Sequence, residues 1–157
     1  MDLILWRHAE AEDNGVDEAQ AEFDLNRSLT QRGEKQALRM AAWLDRQLPE
    51  GARIWVSPAR RCEQTALALG RKYKVRFELA PGATPAQLLE LVQWPAHKYP
   101  VLVIGHQPVL GQTIAQLLGL KDNECVIKKG ALWWLRHRER EGQNQTVMVT
   151  IQSPEVL

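Results

Sequence analysis

The sequence predicts an α/β fold, a three-layer sandwich with a mainly parallel central sheet, helices on both faces and an antiparallel edge at the C-terminus. Short unbroken apolar runs alternate with stretches of helical periodicity along most of the chain. Unbroken apolar runs are typical of strands buried on both faces of a parallel sheet. Near the C-terminus Val147, Val149 and Ile151 instead alternate with polar neighbours, which is typical of antiparallel pairing. At 157 residues we expect one domain spanning 1–157.

The elements in the first half of the chain have clear boundaries. Residues 3–6 form the first apolar run, and a helix is predicted over 30–48, with Thr30 as its N-cap. Residues 54–56 form the second buried strand. Ser57-Pro58 has the form of an N-cap followed by proline, so the next helix is predicted to begin there at once and to run to about residue 70.

The second half of the chain continues the alternation. The predicted elements are a third strand over 75–79, a short helix over 85–92, a strand over 101–104, a helix after Pro108, and antiparallel strands over 131–137 and 145–152 around a polar loop.

Composition excludes several classes of protein. Twenty Lys and Arg residues against 19 Asp and Glu give a net charge of +1, which argues against a nucleic-acid-binding surface. No signal-peptide pattern opens the chain, and no apolar stretch is long enough to cross a membrane, so we expect a cytoplasmic protein. Cys62 and Cys125 lack the spacing of a zinc site, and we expect both to be buried thiols.

Polar residues follow directly after three predicted strands. They are Arg7-His8 after the first strand, Ser57 with Arg60 and Arg61 behind it after the second, and Gly105-His106 after the strand over 101–104. In an open α/β sheet, ligands bind beyond the carboxyl ends of the strands. If these strands are neighbours, the junctions converge on one crevice, with either Arg60 or Arg61 facing it.

This set of side chains suits a phosphoryl group. Arginine offers a planar fork of donors that matches phosphate oxygens, and neutral imidazole can carry a phosphoryl group as a nucleophile. The arginines would replace magnesium as the source of positive charge, so no metal and no cofactor are expected. A rival metal site made of His8, Glu10 and Glu12 is less favoured, because the adjacent Arg7 would repel a cation.

Seven carboxylates with no basic residue among them lie between Glu10 and Asp24. We expect this acidic segment to form a solvated loop beside the crevice, where it would oppose highly anionic small substrates. It would tolerate a phosphate presented on a protein surface.

Four ordered motifs resemble those of the histidine phosphatase superfamily, the relatives of phosphoglycerate mutase, and within it the small SixA-type phosphohistidine phosphatases. They are Leu5-Trp6-Arg7-His8-Ala9-Glu10, then Arg27-Ser28-Leu29-Thr30 with Gly33, then Ser57-Pro58-Ala59-Arg60-Arg61-Cys62-Glu63-Gln64-Thr65-Ala66, and finally Val103-Ile104-Gly105-His106-Gln107-Pro108.

The resemblance implies a phosphohydrolase with His8 as the phosphorylated nucleophile. Arg7 and Arg61 would clamp the phosphate, and His106 would add a further donor. Ser57, which opens the third motif, is also taken as a phosphate-binding residue.

Many members of the superfamily carry a glutamate general acid after the third strand, and residues 78–85 do not match that pattern. Losing an acid costs ~10²–10⁴-fold where a poor leaving group must be protonated. Because imidazole leaves more readily, the phosphohistidine of a phosphorelay protein is the favoured substrate. The alternatives are a phosphatase of small phosphate esters, with Glu78 or Glu90 as the acid, and an adaptor that binds phosphate without cleaving it.

Overall fold

The computed structural model describes residues 1–15 and 17–157, in which six strands form one sheet of order β3-β2-β4-β1-β5-β6. The strands are β1 (Asp2–Arg7), β2 (Arg53–Val56), β3 (Lys74–Val75), β4 (Val101–Gly105), β5 (Leu132–Arg140) and β6 (Gln143–Gln152). β4 pairs in parallel with β1 and with β2, and β2 pairs in parallel with β3. The pairs β1 with β5 and β5 with β6 are antiparallel. The predicted mixed sheet with an antiparallel C-terminal edge is confirmed.

The helices are α1 (Glu18–Phe23), α2 (Gln31–Gln47), α3 (Arg60–Leu67), α4 (Pro85–Leu91) and α5 (Val109–Leu118), with a 3-10 turn over Phe77–Leu79. Two buried clusters place them on both faces of the sheet. One cluster joins Ile4 and Trp6 to Met40 of α2 and Cys62 of α3. The other joins the alternate β1 residues, Leu3 and Leu5, to Leu88 of α4 and Ile114 of α5. The three-layer sandwich is thereby confirmed, and none of the helices in the described residues could span a bilayer.

Two predicted helix starts are confirmed, because at each one a threonine side chain accepts a hydrogen bond from a free backbone amide of the first turn. Thr30 caps α2 by accepting a hydrogen bond from the amide of Gly33 at 2.9 Å. Thr84 and Gln87 form a reciprocal capping box at the start of α4.

The prediction of a strand over 75–79 is wrong beyond Val75. The amide of Arg76 still reaches the carbonyl oxygen of Val56 at 2.8 Å, but Val56 is the last residue of β2. With no further strand to pair with, the chain coils into the 3-10 turn Phe77–Leu79, in which the amide of Leu79 donates to the Arg76 carbonyl.

The helix predicted to start at Ser57-Pro58 begins at Arg60, with Ala59 as its N-cap, and ends at Leu67 instead of near residue 70. The Ser57 hydroxyl accepts from the amide of Ala59, as a serine at a helix start does, and it also contacts His106. The regular helix nevertheless begins only at Arg60.

Three smaller expectations also change. The acidic segment is not only a loop, because it contains α1, capped by the Asp17 carboxylate; Val16 lies outside the described residues. The polar loop between β5 and β6 shrinks to Glu141-Gly142, both at positive φ, as a tight hairpin requires. Cys62 is buried as predicted, but Cys125 is only half-buried.

Candidate active site

The sheet order brings three strand ends together. β4 lies between β1 and β2 and runs parallel to both, with Arg7 in register with Gly105 and Val56 in register with Ile104. The residues that follow these strands therefore share one edge of the sheet. The predicted convergence of the three junctions is confirmed.

His8 is held in one orientation by its own backbone neighbourhood. Its Nδ1 lies 2.7 Å from the carbonyl oxygen of Ala9, which can only accept a hydrogen bond, so Nδ1 carries the proton. Nε2 then keeps its lone pair, and the Nε–H of Arg61 donates to it at 3.4 Å. Burial, followed by the nearby His106 and the two arginines, lowers the pKa of His8 well below its ordinary value. The ring is thus a neutral nucleophile.

Arg61, and not Arg60, faces the crevice. The side chain of Arg61 is buried, and its guanidinium donates to His8 Nε2, to His106 Nδ1 at 3.3 Å and to the Asp24 carbonyl oxygen at 2.5 Å. Arg60 is exposed, and its amide donates to the Leu25 carbonyl oxygen at 2.8 Å. One guanidinium therefore contacts both histidines and secures the segment after α1.

His106 lies beside His8, with ring centroids 5.4 Å apart and the planes tilted by 60°. Because Arg61 donates to its Nδ1, the proton of the neutral ring resides on Nε2, which donates to the Ser57 hydroxyl oxygen at 2.7 Å. Burial, reinforced by the charge of Arg61, lowers the pKa of His106 to about 3. Both rings are therefore uncharged at neutral pH.

Ser57 is fully buried and connects His106 to the start of α3. Its hydroxyl oxygen also accepts a hydrogen bond from the amide of Ala59 at 3.2 Å. The hydroxyl thus contacts the imidazole that faces the crevice, and its direct contact with phosphate stays a prediction.

Arg7 is anchored by the segment between α5 and β5. Its NH1 donates to the Ile127 carbonyl oxygen at 2.6 Å, and its charge contributes to the lowered pKa of both histidines. The backbone around it is fixed as well, because the amide of Gly130 donates to the His8 carbonyl oxygen at 2.9 Å. The segment from Ile127 to Gly130 therefore positions both residues of the Arg7-His8 pair.

Two supporting residues, Thr65 and Arg27, have no role assigned by the sequence analysis above. The Thr65 hydroxyl accepts from the Ala9 amide at 3.1 Å and donates to the Arg61 carbonyl oxygen at 2.8 Å, which ties the backbone after His8 to α3. Arg27 donates to the carbonyl oxygens of Glu12 and Ala21 and lies close enough to lower the pKa of His106. Both residues fall inside the quoted motifs, and that position is the sequence signal by which they could have been found.

Gly33 allows a close approach between α2 and the segment after His8. A Cβ at this position would lie 2.0 Å from the carbonyl oxygen of Glu10, which also accepts from the Thr30 amide at 3.0 Å. Only glycine fits here without moving one of the two backbones.

Among the residues that the structure describes, the carboxylates near the site do not assemble into a metal centre. Glu10 accepts from the Thr30 hydroxyl at 2.8 Å, and the described residues contain no group of three metal-ligating side chains. Glu78 and Glu90, the two candidate acids, are both exposed, and Glu78 is paired with Arg76 at 2.9 Å. The site is therefore built from two neutral imidazoles and two guanidinium groups, a set suited to accepting a phosphoryl group.

Comparison with known proteins points the same way. The model of the histidine phosphatase superfamily (branch 1) matches residues 3–84. The phosphohistidine phosphatase SixA homolog of Haemophilus influenzae is 30% identical over 138 residues, covering 78% of this chain and 80% of that protein. The phosphohistidine phosphatase SixA of Escherichia coli is 35% identical over 127 residues, covering 74% of each chain.

The fold agrees over nearly the whole chain. The solved structure of the protein histidine phosphatase SixA complexed with tungstate superposes with a TM-score of 0.76 at 27% identity, covering 99% of both chains. With the site geometry and the family model in agreement, the chain belongs to branch 1 of the histidine phosphatase superfamily.

Proposed function

We propose that this protein is a phosphohistidine phosphatase that removes the phosphoryl group from a phosphohistidine side chain of another protein through a phosphoenzyme at His8. The observation that carries the proposal is the state of the His8 ring. Its Nδ1 proton is committed to the Ala9 carbonyl, and its Nε2 lone pair lies at the guanidinium of Arg61. The matched relatives named phosphohistidine phosphatases support the choice of substrate.

In the first step, the Nε2 lone pair of His8 attacks phosphorus. A P–Nε2 bond forms, and the P–N bond to the substrate imidazole breaks with its electron pair going to the departing nitrogen. When the other nitrogen of the substrate ring is protonated, imidazole leaves as a neutral molecule. The step therefore needs no general acid, which fits the exposed positions of Glu78 and Glu90.

In the second step, water attacks the phosphorus of the phosphoenzyme. The P–Nε2 bond breaks, its electron pair returns to His8, and both protons of the water leave on dihydrogen phosphate. The proton of His8 stays on Nδ1 throughout, hydrogen-bonded to the Ala9 carbonyl oxygen, so the neutral nucleophile is regenerated in the same tautomer.

Arg7 and Arg61 supply the positive charge for the transferring group. Each is anchored by a backbone carbonyl oxygen, from Ile127 and Asp24 respectively, so little reorganisation is needed when the phosphoryl group arrives. Their combined charge replaces the metal ion that many phosphoryl-transfer enzymes use.

His106 adds a donor without becoming charged. The Ser57 hydroxyl can accept a hydrogen bond from Nε2 or donate one to it, whereas a carboxylate or an ammonium group could do only one of these. When a phosphoryl oxygen takes the Arg61 hydrogen bond from Nδ1, His106 can adopt its other neutral tautomer. The ring proton then moves from Nε2 to Nδ1, the Ser57 hydroxyl donates to Nε2, and Nδ1–H donates to the phosphoryl oxygen.

The test is a side-by-side assay of phosphate release from a histidine-phosphorylated protein and from small phosphate esters, with and without a chelator. We expect release from the phosphohistidine protein, far slower turnover of the esters, and no effect of the chelator. His8→Ala should abolish release. His137→Ala should not, because His137 lies beside Met1, at the opposite end of β1 from His8. Faster turnover of the esters would select the ester phosphatase, and binding without release would select the adaptor.

A further inference from the structure

Both phenylalanines in this chain are exposed to solvent. Phe23 is 65% exposed and Phe77 is 74% exposed, and the composition contains no other phenylalanine. Phenylalanine is among the residues most often buried, and exposed aromatic side chains are enriched where proteins bind each other. Their position on the fold therefore needs a reason.

Both phenylalanines lie near the edge of the sheet that holds the active site: Phe77 shortly after β3 ends, and Phe23 just before Asp24, whose carbonyl oxygen accepts from Arg61. Phe77 follows Arg76, whose amide donates to the carbonyl oxygen of Val56, the last residue of β2. Ser57 of the active site comes directly after Val56 in the chain. Phe23 ends α1, and its ring lies over Gly82 in the loop after the 3-10 turn, since a Cβ there would be 3.2 Å from the ring.

Two exposed aliphatic residues adjoin the carbonyl groups that hold the arginines. Leu25, which is partly exposed, follows Asp24, the acceptor for Arg61. Val126, which is strongly exposed, precedes Ile127, the acceptor for Arg7. We call Phe23, Leu25, Phe77 and Val126 the apolar rim.

The charge on the Phe23 side of the apolar rim is acidic, whereas Lys128 and Lys129 are exposed after Val126. Glu12, Asp13 and Asp17 are exposed on the segment that leads into α1. The amide of Glu12 donates to the Ser28 carbonyl oxygen at 2.7 Å, which holds this acidic side next to the site. An acidic border repels a free anion, so it does not favour capture of a small phosphorylated metabolite.

We propose that the apolar rim and its acidic border form the docking surface for the phosphorylated protein. The phosphohistidine of that protein lies between the protein's own apolar and basic side chains. The inference rests on the proposed function and specifies the partner of that same site. The apolar rim contacts the partner's apolar residues, and Glu12, Asp13 and Asp17 face its lysines or arginines. The partner's positive charge complements the border while its phosphoryl group pairs with the two arginines.

The depth of the nucleophile agrees with this partner. His8 is only 5% exposed, so a protein substrate must present its phosphoryl group on a side chain that projects from a surface able to seat against the rim. A phosphohistidine on the exposed face of a helix would project in this way.

The experiment compares two substrates: phosphoramidate, and a small helical phosphotransfer domain whose histidine has been phosphorylated with phosphoramidate. Phe77→Ala and Phe23→Ala should each lower kcat/KM for the protein substrate by about tenfold, the effect of losing an aromatic contact at an interface. Both variants should hydrolyse phosphoramidate within about twofold of the parent, which also shows that they fold. Leu38→Ala, which removes an equally exposed apolar side chain from α2, serves as the control.

Charge is tested separately with Glu12→Lys. It should lower kcat/KM for the protein substrate at low salt, and the difference should shrink at high salt. Unchanged kcat/KM for the protein in both phenylalanine variants, or equal losses on both substrates, would overturn the docking surface. A parent enzyme that releases phosphate from neither substrate would refute the proposed function itself, and the docking surface with it.

Discussion

Ser57→Ala is the substitution that best distinguishes a role in orienting His106 from a contribution to the stability of the fold. It deletes a fully buried hydroxyl that lies 2.7 Å from His106 Nε2 and 3.2 Å from the amide of Ala59. Leaving a buried donor without its acceptor costs about 1–3 kcal/mol, so the free energy of unfolding should fall by that amount. His106 also loses the partner that orients its ring and holds its tautomer.

The catalytic effect should exceed the loss of folded protein. We expect kcat for a phosphohistidine protein to fall by about 10–100-fold, equivalent to ~1.4–2.7 kcal/mol of transition-state stabilisation. The assay pairs steady-state kinetics with chemical denaturation, and the ¹⁵N shifts of the His106 ring report its tautomer. The parent should show the proton on Nε2, and the variant a mixture.

Thr113→Val provides a matched control. Thr113 is also fully buried, and its hydroxyl donates to the Val109 carbonyl oxygen at 2.8 Å within α5. This variant should lose stability with kcat intact. If Ser57→Ala behaved in the same way, with kcat within about twofold and an unchanged His106 tautomer, the positioning role of Ser57 would be refuted.

Three further predictions follow from the buried rings, the close backbone contact and the metal-free site. Because burial keeps the folded-state pKa of His8 and His106 below that of the unfolded chain, stability should be full above pH ~6.5 and fall below it, by up to about 1.4 kcal/mol per pH unit for each ring; denaturation between pH 5 and 8 measures this, and a flat profile contradicts it. Gly33→Ala should cost roughly 1–3 kcal/mol, because its Cβ would lie 2.0 Å from the Glu10 carbonyl oxygen, whereas Gly51→Ala, whose nearest contact is 3.4 Å away, should be near neutral; equal denaturation midpoints would contradict the steric argument. Prolonged treatment with a chelator should leave kcat unchanged, and loss of activity restored by a divalent ion would show that the two arginines are insufficient.

Much of the site could be predicted from the sequence because its chemistry depends on residue type. Arg7, His8 and His106 follow apolar runs, and in a parallel sheet the ends of neighbouring strands share one edge, so their proximity follows from topology. The choice of Arg61 over Arg60 came from the motif, because both stand in the first turn of α3 and the residues alone do not fix the phase of the helix.

Other parts of the site left no signal in residue type. The carbonyl oxygens of Asp24 and Ile127 hold the two arginines, and any residue supplies such an oxygen. Ser-Pro is a common helix start, but the regular helix begins three residues later, at Arg60. The contact between the Ser57 hydroxyl and His106 depends on tertiary structure, which local sequence does not report. The early end of β3 likewise depends on the length of its neighbour β2, which local sequence does not report.

The central claim is that the phosphoryl group passes through Nε2 of His8. The most direct measurement is to react the protein with a phosphohistidine substrate, quench within the first turnover, and locate the phosphate by mass spectrometry and ³¹P NMR. The account predicts an acid-labile, alkali-stable phosphoryl group on His8 Nε2 that is absent in His8→Ala. Phosphate found on another residue, or full turnover by His8→Ala, would contradict it.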